Sequence, residues 1–160
     1  MSRLARSLTQ PRSLLLLALF LALVIGVGGL LGVSTAPGAW YAVLDKPPFN
    51  PPNWIFAPVW FTLYVLIAIA GWRTALADPR SPAMLLWAAQ MGLNWLWSPV
   101  FFTQHQLWLA GGIILALLAA ILAFIALQWR RDRVAALLFL PYAAWVAFAS
   151  LLNLTIAILN

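Results

Sequence analysis

Residues 81–129 read SPAMLLWAAQMGLNWLWSPVFFTQHQLWLAGGIILALLAAILAFIALQW, 49 residues without a Lys, Arg, Asp or Glu. A helix needs about 20 apolar residues to cross the hydrocarbon core of a bilayer. The stretch is therefore long enough for two crossings, and TQHQ at 103–106 supplies a polar turn between them. On either side, the uncharged gaps at 13–44, 47–72 and 134–160 hold 32, 26 and 27 residues, one span each. The pattern predicts an all-α integral membrane protein, a five-transmembrane-helix bundle forming a single domain over 1–160. Its helices are expected at about 13–33, 54–76, 83–102, 107–129 and 134–158, with a Pro-rich lid loop at 34–53 between the first two.

Composition agrees with that class. Of 160 residues, 65% are hydrophobic and 8% charged, too little polar surface for a soluble domain of this size. The absence of Cys excludes disulfides, thiolate metal sites and cysteine nucleophiles. Arg3, Arg6, Arg12, Arg73, Arg80, Arg130, Arg131 and Arg133 fall on one side of the five crossings and only Lys46 on the other. The positive-inside rule then places the N-terminus in the cytoplasm and the C-terminus outside. Basic residues ahead of the first span also describe a signal peptide. The apolar run at 14–33 is 20 residues, however, longer than such a segment, and no small-x-small cleavage site falls at a suitable distance. The basic charge reflects topology and contact with membrane lipid; no basic stripe with stacking aromatics lies on a soluble face, so nucleic acid is not an expected partner.

Ten Trp are the next signal. Trp40, Trp54, Trp72, Trp87, Trp108 and Trp129 fall near the expected span ends, where an indole sits well at headgroup level. Trp60, Trp95, Trp97 and Trp145 lie deeper, where each indole N–H needs a partner or a cavity. Polar groups recur beside them at helical spacing. Gln90, Asn94, Trp97 and Phe101 share one face of the third span, Tyr142, Trp145, Ala149 and Asn153 one face of the fifth, and Phe56, Trp60 and Tyr64 one face of the second. These stripes suit a common cavity in the lid-side half of the bundle, and they suit interhelical hydrogen bonding and packing equally well. Ala88 and Gly92 form a small-xxx-small pair about 160° around the third span from Gln90, a candidate dimer contact. Gly28 and Gly32 on the first span, and Gly112, Ala116 and Ala120 on the fourth, offer comparable sites of close packing.

The connection at 34–53, STAPGAWYAVLDKPPFNPPN, carries five Pro, and its Pro-Pro pairs are expected to be extended and stiff, an ordered cover. From Trp40-Tyr41 through its KPPFNPP core (46–52), and on through WIFAPVWFTLY (54–64), AAQMGLNWLWSPVFF (88–102) and PYAAWVAFASLLN (141–153), the sequence resembles the TspO/translocator proteins, also called tryptophan-rich sensory proteins or peripheral benzodiazepine receptors. The resemblance spans nearly the whole chain, with the motifs in the right order.

That resemblance implies a membrane receptor or translocator, usually a homodimer, whose pocket takes porphyrins and other tetrapyrroles, haem included, and isoquinoline or benzodiazepine-type drugs. It implies a role in stress or in oxygen- and light-linked tetrapyrrole handling. By motif match the ligand would touch Trp40, Tyr41 and Pro47 of the lid, Trp60 and Tyr64, Gln90, Asn94 and Trp97, and Trp145, Ala149 and Asn153. Propionates are expected near Lys46 at the mouth. Family members that bind cholesterol carry Tyr and a basic residue late in the last span, whereas this chain ends LTIAILN, so sterol binding there is not expected. No cofactor is required, and no metal site is expected: the only histidine, His105, lies in a turn, while Met84 and Met91 suit apolar packing.

Other function classes find little support. Asp45, Asp78 and Asp132 all lie in connections, so no catalytic triad or carboxylate pair can be assembled within the spans, and no catalytic residue is expected. The enzymatic alternative is photo-oxidative porphyrin degradation, with Trp60 and Trp145 as the redox indoles. Ion-coupled transport commonly places carboxylates in the membrane, and none is expected here. Passive passage of tetrapyrroles or lipid-like ligands remains an alternative.

Overall fold

The computed structural model describes residues 10–160; Arg3 and Arg6, which enter the orientation argument, lie outside them. Six helices and a 3-10 turn make up the described chain: α1 (Pro11–Ser34), α2 (Ala39–Val43), the 3-10 turn Asn53–Ile55, α3 (Phe56–Ala77), α4 (Pro82–Phe102), α5 (Leu107–Arg131) and α6 (Arg133–Leu159). Helices dominate because apolar surroundings leave no water for backbone groups, which must then bond within their own segment. Pro opens α1 and α4, at first-turn positions where its missing N–H is not needed. Ser81 caps α4 through its hydroxyl, which accepts from Met84 N at 3.2 Å, and Asp132 caps α6 by accepting from Val134 N and Ala135 N.

Four of these helices are long and apolar enough to cross a membrane. The remaining long helix, α4, has 21 residues but is not among them, because Gln90, Asn94 and Ser98 interrupt its apolar run. The chain is a multi-pass membrane protein.

The five long helices close a ring. α1 packs on α3, α3 on α6, α6 on α5, α5 on α4, and α4 returns to α1 through a thin contact. At the end carrying the arginines the ring is sealed. Trp72 Nε1 donates to Ser13 O at 2.8 Å, joining α3 to α1. Arg73 donates through Nε and Nη2 to the two carboxylate oxygens of Asp132, at 2.8 and 2.9 Å. Gln128 Nε2 donates to Thr74 Oγ1 at 2.7 Å. Beyond this layer Phe124 and Phe139 stack at 4.1 Å in a core with Ile67, Leu117, Ile121 and Val146, all buried.

Two of the tryptophans expected at headgroup level are elsewhere. Trp72 and Trp87 are buried, and Trp87 donates its indole N–H to Ile67 O at 2.9 Å while lying against Gly71, where any Cβ would collide with the ring. Burial there follows from a backbone acceptor within reach and a glycine that lets the indole approach. Trp54, Trp108 and Trp129 are exposed. In the 34–53 connection, residues 39–43 form a short helix, and Asn50 N donates to Pro47 O at 3.0 Å, so the proline-rich run turns tightly instead of staying extended. Pro48 suits the second position of such a turn, where its fixed φ is already correct.

Candidate ligand-binding chamber

Towards the end that carries the 34–53 connection the ring opens into a chamber of about 580 Å³, within the range of small-molecule pockets. Its wall is built by α1 (Ile25, Gly28, Gly29, Gly32), α3 (Phe56, Trp60, Tyr64) and α4 (Asn94, Trp95, Trp97, Ser98), with Thr35, Pro37 and Asn53 from the two ends of the 34–53 connection. The space exists because α1 packs closely only as far as Gly28. There Tyr64 lies flat on the helix where a Cβ would collide with its ring, and no residue of α1 beyond Gly28 is buried. Thr35 then ties the end of α1 to α4: its Oγ1 donates to Leu31 O at 2.8 Å, so the proton in its short contact with Ser98 comes from the serine.

The chamber floor is a directed hydrogen-bond chain. Tyr64 Oη donates to Asn94 Oδ1 at 3.3 Å, Asn94 Nδ2 to Tyr142 Oη at 3.0 Å, Tyr142 Oη to Gln90 Oε1 at 2.9 Å, and Gln90 Nε2 to Trp87 O at 2.9 Å. Gln90 and Tyr142 have no exposed surface, so this chain satisfies groups that would otherwise be orphaned among apolar side chains. It also fixes Asn94 with its carbonyl towards Tyr64. Trp60 packs against Tyr64 with its ring tilted 33° and the centroids 5.4 Å apart, and meets Tyr142 edge-on at 6.3 Å.

The residues singled out from the sequence divide among several places. Trp60, Tyr64, Asn94 and Trp97 line the chamber. Trp97 also borders a crevice of about 20 Å³, shared with Tyr41, Ala149 and Asn153, and donates its indole N–H to Asn153 Oδ1 at 3.0 Å. Gln90 lies behind Asn94. Trp145 packs against Phe56 and Phe148, outside the chamber wall. Trp40 stacks on His105 at 3.9 Å, with His105 held in the left-handed backbone region at φ 58°. Pro47 is buried within the 34–53 connection and lines neither space. Ala88 and Gly92 are exposed on the far side of α4, and nothing lies near the position of a Gly92 Cβ.

Lys46 is not available to a propionate. Its ammonium donates to the carbonyls of Tyr41, Ala42 and Leu44 at 2.7, 3.2 and 2.8 Å, closing the end of α2. Burial pushes the Tyr41 phenol above its usual range, so it stays protonated and donates to Asn50 Oδ1 at 2.8 Å. Sequence reasoning missed the α1 wall. Its signal was present as Gly28 and Gly32, which carry the same spacing as a packing contact.

A model of the TspO/MBR family matches residues 16–159 of this chain. The chain belongs to the TspO/MBR family. Among the family's curated members it is similar to "Protein CrtK" of Rhodobacter capsulatus, 39% identical over 138 residues, which cover 82% of this chain and 85% of that protein. It is similar to the "Translocator protein" of Ovis aries, 39% identical over 140 residues and 82% of each chain. The "Tryptophan-rich protein TspO" of Archaeoglobus fulgidus is 40% identical over 151 residues, 91% of this chain and 96% of its own. Within this TspO/MBR chain, the family motifs at 54–64 and 88–102 supply the α3 and α4 walls of the chamber.

Proposed function

We propose that this chain is a five-span membrane receptor or translocator that holds a porphyrin-type tetrapyrrole in the α1–α3–α4 chamber. The observation that carries the reading is the aromatic and polar wall of that chamber, in which Trp60 over Tyr64 offers a stacking face and the Tyr64–Asn94 pair offers hydrogen bonds at its floor. A flat macrocycle gains from the first and orients on the second. Isoquinoline and benzodiazepine-type drugs would compete for the same wall. The N-terminus would face the cytoplasm and the C-terminus the outside, with α4 as the fifth span and its exposed Ala88–Gly92 face pairing two copies into a homodimer. Photo-oxidative degradation is less well supported as a second reading, since only Trp60 of the two candidate redox indoles lines the chamber.

The test is a titration of the detergent-solubilised protein with protoporphyrin IX, followed by quenching of Trp fluorescence. Saturable low-micromolar binding that weakens at least tenfold in a folded Trp60→Leu variant is expected. Non-saturable partitioning, or unchanged binding by the variant, overturns the reading.

A further inference from the structure

We infer that ligands enter and leave this chamber sideways, from the lipid phase, through a mouth between α1 and α3, and not from water beneath the lid. The inference rests on the chamber being the ligand site. It follows from where the wall is missing. Residues 38–52, the body of the lid, contribute nothing to the chamber wall. The rim residues are instead apolar and exposed on the outer surface of two membrane-crossing helices: Val33 of α1 is 82% exposed and Phe61 of α3 is 58% exposed, and both border the chamber. Between them Gly29 and Gly32 present bare backbone, with nothing within 4 Å of an added Cβ. Tyr64, at the floor, is eight residues along α3 from Phe56, roughly 12 Å below the helix start, so the lower part of this mouth lies at hydrocarbon depth.

The other sides are closed. The Tyr41–Asn50 bond and Lys46 on its three carbonyls hold the lid in shape, and it is fastened to the bundle by Tyr41 against Phe101 and Phe102 and by Asn160, whose amide accepts from Asp45 N at 3.1 Å and donates to Asp45 O at 3.0 Å. Opening it would break the Asn160 pair and pull Tyr41 out of its buried cluster with Val100, Phe101, Ala110, Leu152 and Ile156, exposing apolar surface. On the α4 side, the Thr35–Ser98 contact closes the gap to α1. The α1–α3 rim has no hydrogen bond to break, and a hydrophobic macrocycle already concentrated in the bilayer meets it directly.

Protoporphyrin IX is loaded into phosphatidylcholine vesicles containing the full-length protein, and Trp quenching is followed by stopped flow. Gly29→Phe, which fills the mouth where the structure leaves room, is expected to slow association and dissociation at least fivefold each. Gly32→Phe on the same rim is the second variant. Tyr41→Phe/Asn160→Ala, which loosens the lid, is expected to change both rates less than fivefold. Rates in both Phe variants within fivefold of wild type, or a fivefold or greater acceleration by the lid variant, overturn the route while leaving the chamber in place. Absence of saturable binding to wild type overturns the route together with the site.

Discussion

The two ends of the bundle contain similar amounts of buried polarity and use it differently. At the arginine end Ser13, Trp72, Arg73, Thr74, Gln128 and Asp132 meet one another across α1, α3, α5 and α6, and the helices between them are packed solid. At the opposite end Tyr64, Asn94, Trp97 and Ser98 are also hydrogen-bonded, yet they border open space. The difference lies in α1. It closes on α3 up to the Gly28–Tyr64 contact and then stands away. Polar residues in a membrane bundle therefore mark where helices meet; whether the meeting is a joint or a wall depends on one further helix.

That contrast can be broken most forcefully at the arginine end. Asp132→Ala should cost about 3–5 kcal/mol, because it leaves the Arg73 guanidinium unpaired in a largely buried position and uncaps α6. Unfolding in mixed micelles by a denaturing detergent measures the loss, and a change under about 1 kcal/mol, the value of a surface pair, would show the joint to be superficial. A smaller effect is expected where α1 changes role. Gly28→Ala should destabilise by about 1–3 kcal/mol by driving Tyr64 from its seat, while Gly32→Ala, one turn on, should leave the unfolding midpoint unchanged; equal effects would mean that α1 packs uniformly. The smallest effect sharpens the boundary of the chamber. Trp145→Phe should alter porphyrin affinity less than threefold, and a loss as large as that of Trp60→Leu would move the wall to α6.

Much of the helical layout was legible because hydropathy and charge act residue by residue. The charge gaps anticipated helices that the structure has at Phe56–Ala77, Leu107–Arg131 and Arg133–Leu159, and the turn at TQHQ separates α4 from α5. The Gln90–Asn94–Trp97 stripe was legible for the same reason: in α4 a polar side chain every turn can only face other helices. The exposed Ala88 and Gly92 lie opposite it, as helical geometry requires. The outcome for Trp87 was not legible, since an indole near a span end reads as a headgroup anchor until a glycine and a free carbonyl are seen to receive it. Nor was that of Lys46, whose partners are the carbonyls of a short helix that the proline content of its loop did not suggest.

Sequence alone settles that this chain lives in a membrane, where its long helices run, and which faces of α3, α4 and α6 carry polar and aromatic groups. These are properties of single segments, set by the length of apolar runs and the period of 3.6 residues per turn. The chamber itself is a property of the tertiary arrangement. Between Leu14 and Val33 α1 has no polar residue to declare its inward face, and with lipid as apolar as leucine, hydropathy says nothing about how that helix is rotated or how far it stands from its neighbours. Only the seating of Gly28 against Tyr64 decides it, and that contact turns three helix faces into a wall.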